Sequence, residues 1–459
     1  MDNIRIGFVP AHRNSLSEDW ASELRKRCLA VFNKIPGLEI IVPDESLTKR
    51  GFVRDDIEAE KVIKLFQSKG IDGLIIGTMT FGDEISINTI ATAFRNKPQL
   101  LFGTKENEVP SCGARTSDSF CGTLSISSGL HRRKIPFIFA GLVFPEEKEF
   151  QKYVSDFVGT CSVVKGFIGA KIGLVGPRPE PFETCIYNED AMIKQFNQRV
   201  VPTGVSDLMN FTRGLKPGDP VLKKIAKEMA AETDMSNSGE ETGEKLARVE
   251  YALKQFAAEK GLSAMAIQCY SAMEMLFGVV PCYVMGRITT AGTMASCETD
   301  LYGALTMLVE YKAALSATPP HFMDWTLKHP EEKDTFLAWH CGNGPVCLSG
   351  QKGKIPVTCH YMGPDMGTVH FQLKSGVVTL SSLQEDGGHF KMFVTTGKSV
   401  KLDGTMKGSW SWVKVPDLDK LYRTLVTGGF VHHASLIHGD YTQAITDACN
   451  IMGIEVVTG

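Results

Sequence analysis

The sequence predicts an α/β protein: two successive parallel-sheet units followed by a β-rich region. Three observations carry this. Through about residue 300, short apolar runs alternate with helical patterns, as in strands crossed over by helices. Beyond about residue 320, short β-rich segments are separated by Gly-Pro, Asp-Gly and Gly-Gly turns, as in an antiparallel sheet or barrel. A chain of 459 residues also exceeds one ordinary core, so two or three domains are expected.

The elements follow in order. Residues 4–9 read as a strand, 17–31 as a helix, 38–42 as a strand, 55–68 as a helix and 73–77 as a strand. Strands at 99–103 and 136–141 come next, with helices between them. Such alternation argues for a parallel sheet covered on both faces, with ligands bound beyond the carboxyl ends of its strands. That places Pro10-Ala11-His12-Arg13 and Gly77-Thr78-Met79-Thr80-Phe81-Gly82 at the rim. A second unit opens with a strand at 171–176 and continues through 200–202. A polar helical region over 219–260 follows, interrupted by a solvated loop at 236–241. Strands at 264–268 and 282–285 precede a helix that begins around Glu298. The β-rich part includes 369–373, 377–380, 389–396 and 409–415, and a helix at 440–452 and a strand at 454–457 close the chain. The expected domains are 1–168 (α/β), 169–319 (α/β) and 320–459 (β-rich).

Composition narrows the function. A net charge of -3 exerts no broad pull on nucleic acid or anionic membrane. The first residues lack a basic segment followed by an apolar one, and no apolar run reaches the ~18 residues of a membrane helix. A cytoplasmic protein with small-molecule partners or copies of itself is expected. Its twelve cysteines form no CxxC pair, and their spacing fits neither a zinc ribbon nor a disulfide framework. Reduced thiols are the plain reading.

The segment Val431-His432-His433-Ala434-Ser435-Leu436-Ile437-His438 is the most informative in the chain. Adjacent histidines between a Gly-Gly turn and a terminal helix are uncommon, and imidazole is the commonest neutral metal ligand. Upstream, Glu298 and Asp300 flank a helix start, where acidic decoration of the first turn is the competing reading. Asp324 ends the apolar run His321-Phe322-Met323, and a carboxylate buried there needs a partner, whether a cation or a salt bridge. His340 follows a strand-like run and precedes a Gly/Pro turn, a place for a ligand or for a hydrogen-bonded turn residue. Cys341 and Cys347 lack the second cysteine pair that a zinc site would need. Two carboxylates with two histidines suit Mn²⁺, Co²⁺ or Mg²⁺, with Mn²⁺ favoured by mixed oxygen and nitrogen ligation. Paired carboxylates beside a bound substrate can move protons.

At Cys297-Glu298-Thr299-Asp300-Leu301-Tyr302-Gly303-Ala304-Leu305, Phe322-Met323-Asp324, Trp339-His340-Cys341-Gly342 and His432-His433, the chain resembles the L-fucose and L-arabinose isomerase-like aldose–ketose isomerases. The four matches fall in the family's order. The resemblance implies two Rossmann-like domains and a barrel-containing C-terminal domain. It implies a divalent metal, usually Mn²⁺, on Glu298, Asp324, His340 and His433, and isomerisation through a cis-enediol with Glu298 and Asp324 as the acid/base pair. His432 is then a second candidate ligand or a donor to the sugar. Family members are homo-oligomers whose N-terminal domain reaches a neighbour's site, which makes Arg13 interesting, with Met79 and Phe81 as sugar-packing residues. A solvent-facing arginine is the competing reading for Arg13. His131-Arg132-Arg133-Lys134 reads as a solvated helix end. The expected substrate is a fucose- or arabinose-type sugar or a 6-substituted hexose such as sulfoquinovose. A metal-dependent lyase or hydrolase and a non-catalytic sugar-binding protein are the alternatives.

Overall fold

In the computed structural model, β1 (Ile4–Ala11), β2 (Leu38–Ile41), β3 (Gly73–Thr78), β4 (Gln99–Thr104) and β5 (Ile138–Val143) form one all-parallel sheet in the order β2-β1-β3-β4-β5. Residues 2–106, 115–269 and 271–459 are described. β1, β3 and β4 are buried almost throughout, because helices cover both faces and leave no solvent side to alternate with. The helices start where the sequence supplies caps. The side chains of Ser17, Asp55 and Asp83 each accept a hydrogen bond from a backbone N–H in the first turn. The strand order reverses between β1 and β3, the switch point where ligands bind in such sheets. Arg13 and the Met79–Phe81 stretch follow these two strands. This unit spans Met1–Lys165.

The second unit, Gly166–Gly459, holds both the second parallel sheet and the β-rich region. Its parallel sheet contains β6 (Lys171–Val175), β7 (Arg199–Thr203), β9 (Ala264–Ile267) and β10 (Met294–Ser296), in the order β10-β9-β6-β7. The short β8 (Thr233–Asp234) joins β13 (Ile355–Cys359) and β14 (Met366–Val369) in a small separate sheet. The large mixed sheet runs β15-β18-β12-β11-β19-β16-β17-β20. Its strands are β11 (His321–Lys328), β12 (Thr335–His340), β15 (Phe371–Gln372), β16 (Gly376–Asp386), β17 (His389–Val400), β18 (Ser409–Lys414), β19 (His433–His438) and β20 (Glu455–Thr458). Because β17 also pairs with β18, the run of pairings returns on itself and rolls the sheet towards a barrel. No helix among the described residues is long and apolar enough to cross a membrane.

Three expected elements differ, the first being the strand expected over 369–373, which breaks at His370: Val369 ends β14 of the small sheet, while Phe371–Gln372 is β15 of the large one. The run at 282–285 is not a strand but the start of the helix Cys282–Thr290. Cys282, Tyr283, Val284 and Met285 are all buried, so the segment shows no helical periodicity, and its aromatic and β-branched content imitates a strand. The loop at 236–241 is shorter than expected, since the helix Gly239–Lys260 already begins inside it.

The helix Leu301–Ala313 is buried on nearly every side, between the parallel sheet and strands β16 and β19. Glu310 lies in its wholly buried part, where the Ser435 hydroxyl donates to Oε2 at 2.6 Å. Its Oε1 has no hydrogen-bond partner. Burial outweighs the Ser435 hydroxyl bond and pushes its pKa up to about 8. The unfolded chain releases this proton near the ordinary glutamate pKa of about 4.3, so stability falls as pH rises from there to about 8. Glu310→Gln should remove that slope and stabilise the protein above pH 8 by a few kcal/mol, about 1.4 for each pKa unit. Urea unfolding as a function of pH checks this, and an unchanged slope would mean that Glu310 is not the buried acid.

Candidate active site

Glu298 stands just beyond the carboxyl end of β10, in a sharp junction leading to the helix Leu301–Ala313. Glu298 and Thr299 both adopt left-handed backbone, with φ of 59° and 56°. For residues other than glycine this costs about 1–3 kcal/mol each. Surrounding hydrogen bonds hold the junction. Thr299 N–H donates to Ile267 O at 3.2 Å, Asp300 N–H to Cys297 O at 3.1 Å, and the Ser296 hydroxyl to Asp300 O at 2.6 Å. Glu298 is therefore not part of the helix's first turn, as acidic decoration would require. Asp300 is the N-cap, accepting from Gly303 N–H at 2.9 Å.

The other two elements are strands in register. Asp324 on β11 is paired across the sheet with His433 on β19 and with Trp339 on β12, next to His340. His433 is buried and lies between carboxylates: Nδ1 is 2.9 Å from Asp300 Oδ2, and Nε2 is 3.0 Å from Glu298 Oε2 and 3.7 Å from Asp324 Oδ1. Asp300 thus caps the helix with one oxygen and holds the His433 ring with the other, the orienting role that carboxylates play behind metal-bound histidines. Donor atoms of Asp324, His340 and His433 lie within 4.8 Å of one another, and so do those of Glu298, His432 and His433. The structure thus brings Glu298, Asp324, His340, His432 and His433 together. His432 packs 4.1 Å from His433 and 6.0 Å from Phe182, centroid to centroid.

Burial works against protonation of His433, yet its bonds to Asp300, Cys185 and Glu298 raise its pKa well above the usual value. His340 is likewise opposed by burial but pushed up to about 10 by Cys341 and Asp324. Burial raises the Asp324 pKa, against the pull of His340 and His433. The carboxylates and Cys341 thus draw positive charge onto His433 and His340, whereas burial and His433 lower the pKa of His432. Asp324 Oδ1 is buried with no hydrogen-bond partner, although it faces His433 Nε2. An orphaned carboxylate oxygen beside two imidazoles fits a divalent cation that accepts mixed oxygen and nitrogen donors.

Arg13, Met79 and Phe81 belong to the first unit. The Arg13 guanidinium stacks over Phe81 at 3.9 Å and its Nε donates to Gly82 O at 3.1 Å. Met79 is fully buried within that unit, whereas Phe81 and Arg13 are half-buried at the switch point. Neighbouring His12 is buried and bonded through Nδ1 to the Thr80 hydroxyl at 2.9 Å. The orienting part of Asp300 is not visible in the sequence. Its N-cap position was the available signal, but the second bond crosses 133 residues of chain.

Comparison with known proteins bears on both units. Residues 7–168 match the family model described as the N-terminal domain of fucose/sulfoquinovose isomerase. Residues 339–458 match the one described as the C-terminal domain of L-fucose isomerase. His340, His432 and His433 lie inside the second match, while Glu298 and Asp324 lie between the two. Proteins named sulfoquinovose isomerase from Priestia aryabhattai and Priestia megaterium are each 25% identical over 467 residues, covering 99% of both chains. One of the same name from Alkalicoccus urumqiensis is 23% identical over 388 residues, covering 84% of this chain and 86% of its own.

Gly303 tests the Asp300–His433 link. A Cβ there would meet Phe322 Cε2 at 2.4 Å and Asp300 Oδ2, the oxygen that holds His433, at 2.6 Å. Gly303→Ala should displace that carboxylate, cost about 1–3 kcal/mol of overpacking against a helix-propensity gain of about 1 kcal/mol, and weaken divalent-metal binding. Thermal unfolding and Mn²⁺ titration calorimetry read the two effects. Unchanged metal affinity would show that Asp300 does not position His433.

Proposed function

The chain belongs to the L-fucose isomerase-like family of aldose–ketose isomerases, and we propose that it converts sulfoquinovose to its 2-ketose at a Mn²⁺ site formed by Glu298, Asp324, His340 and His433. The observation that carries the site is the unpartnered buried oxygen of Asp324 facing His433, with Glu298 on the same imidazole nitrogen. Relatives named for sulfoquinovose along the whole chain support the substrate. Co²⁺ and Mg²⁺ suit the same donor set.

When bound, the cation supplies polarisation of the sugar carbonyl and offsets negative charge on the enediolate. The rest is done by side chains. One of Glu298 and Asp324 takes the proton from C2 and delivers it to C1, and the other moves a proton between the oxygens on those carbons. Burial keeps Asp324 above the usual carboxylate range, which suits it to give a proton as well as take one. Asp300 fixes the tautomer and tilt of His433. His432, next to this cluster and only partly buried, is a hydrogen-bond donor for the sugar.

In heavy water with added Mn²⁺, wild-type enzyme should form ketose from sulfoquinovose faster than from L-fucose. Glu298→Gln and Asp324→Asn should each lower turnover by about 10²–10⁴-fold, with metal content measured in parallel. Deuterium at the carbon that gains the proton would report the enediol. Faster turnover of L-fucose would reassign the substrate, and near-normal turnover by metal-loaded variants would remove the two carboxylates from the mechanism.

Arg13 sits at the switch point of the N-terminal sheet, where its planar guanidinium suits an anionic or hydroxylated ligand. We propose that the protein is a homo-oligomer in which Arg13, with Phe81 beside it, completes a neighbouring subunit's site. Mixed oligomers of the inactive variants Arg13→Ala and Glu298→Gln should then regain part of the activity through hybrid sites. No recovery in oligomers shown to be mixed would place a complete site within one subunit.

A further inference from the structure

Behind His340 lies a second group of side chains that the isomerase reading does not use. Cys282, Cys341 and His360 each offer one donor atom, and these three atoms lie within 4.8 Å of one another. All three residues are buried. They come from separate places: Cys282 opens the helix Cys282–Thr290, Cys341 follows β12, and His360 follows β13. Cys297, a further buried thiol, accepts from Asn343 Nδ2 at 3.7 Å and falls outside this group. The helix that carries Cys282 is anchored, since Arg287 Nε donates to buried Glu250 Oε2 at 2.5 Å. The neighbouring Cys341 thiol and burial hold the Cys282 thiol well above its ordinary pKa, so its proton leaves only when a cation takes its place.

We propose that Cys282, Cys341 and His360 form a second metal site selective for a thiophilic d¹⁰ cation such as Zn²⁺. Two thiolates and an imidazole at this spacing are soft donors, unlike the carboxylate-rich cluster to which His340 belongs. On binding, the coordinating thiols lose their protons to solvent and the cation takes their place, with no change of oxidation state. The site ties the helix Cys282–Thr290 to the ends of β12 and β13. It also reaches the first cluster, because Cys341 Sγ lies 3.2 Å from His340 Nδ1. A metal-bound Cys341 thiolate accepts a hydrogen bond from Nδ1–H and leaves the Nε2 lone pair of His340 free for the catalytic cation.

Co²⁺ is the probe, since thiolate ligation gives it a near-ultraviolet charge-transfer absorption that oxygen and nitrogen ligation do not. The metal-free full-length protein should develop this absorption with about one equivalent of Co²⁺ bound at the sulfur site, and Zn²⁺ should bleach it. Cys282→Ser should abolish it, whereas Asp324→Asn, which alters only the other cluster, should keep it. X-ray absorption of the Zn²⁺-loaded wild type needs no variant and should show sulfur neighbours at about 2.3 Å. A purely oxygen and nitrogen shell around Zn²⁺, no charge transfer at saturating Co²⁺, or an absorption unchanged by Cys282→Ser would overturn the site. None of these results touches the Mn²⁺ site, which binding to the Cys282→Ser variant reports separately.

Discussion

Everything at the candidate active site depends on the imidazole of His433 being held between carboxylates from opposite directions. Asp300 grips Nδ1, while Glu298 and Asp324 approach Nε2. Each contact makes a demand on the fold. The Asp300 bond requires the helix Leu301–Ala313 to start where it does, so that one oxygen caps the helix and the other reaches β19. The Glu298 bond requires two consecutive left-handed residues, a strain held in place by the hydrogen bonds of Thr299 N–H, Asp300 N–H and the Ser296 hydroxyl. The Asp324 approach requires the register of β11 on β19, and a slip by one residue would turn its side chain to the other face.

Burying this much charge is costly unless the signs cancel. Neighbouring carboxylates and Cys341 favour the protonated imidazoles of His433 and His340 against the effect of burial. A divalent cation does the same balancing with one particle and also gives the stranded Asp324 oxygen a partner. Acidic solvent therefore competes with metal, because every imidazole that ligates must first lose its proton.

The two units contribute different kinds of site. The first presents Arg13 and Phe81 at a point where the strand order reverses, a crevice created by topology. In the second, Cys269 and Glu298 both lie just beyond the carboxyl ends of neighbouring parallel strands, so the parallel sheet feeds thiols and a carboxylate into one region. The large mixed sheet then adds Asp324, His340 and His433 from three adjacent strands. Hard and soft donors both approach a single imidazole, that of His340.

Local pattern determined much of this on its own. Alternating apolar runs and capped helices specify the parallel sheets, and turn-punctuated β segments specify the mixed sheet. Glu298, Asp324, His340 and the His432-His433 pair were each legible as residue types in suggestive places. Periodicity failed at 282–285, because a segment buried on every side has no polar face to betray its helix. Spacing could not reveal Asp300 as the partner of His433, nor group Cys282, Cys341 and His360, since these contacts join residues far apart in the chain. A cap, a strand or a helix is written within a few residues, where neighbours along the backbone interact. A site is assembled across strand register and helix packing, and only the folded chain decides which distant side chains meet.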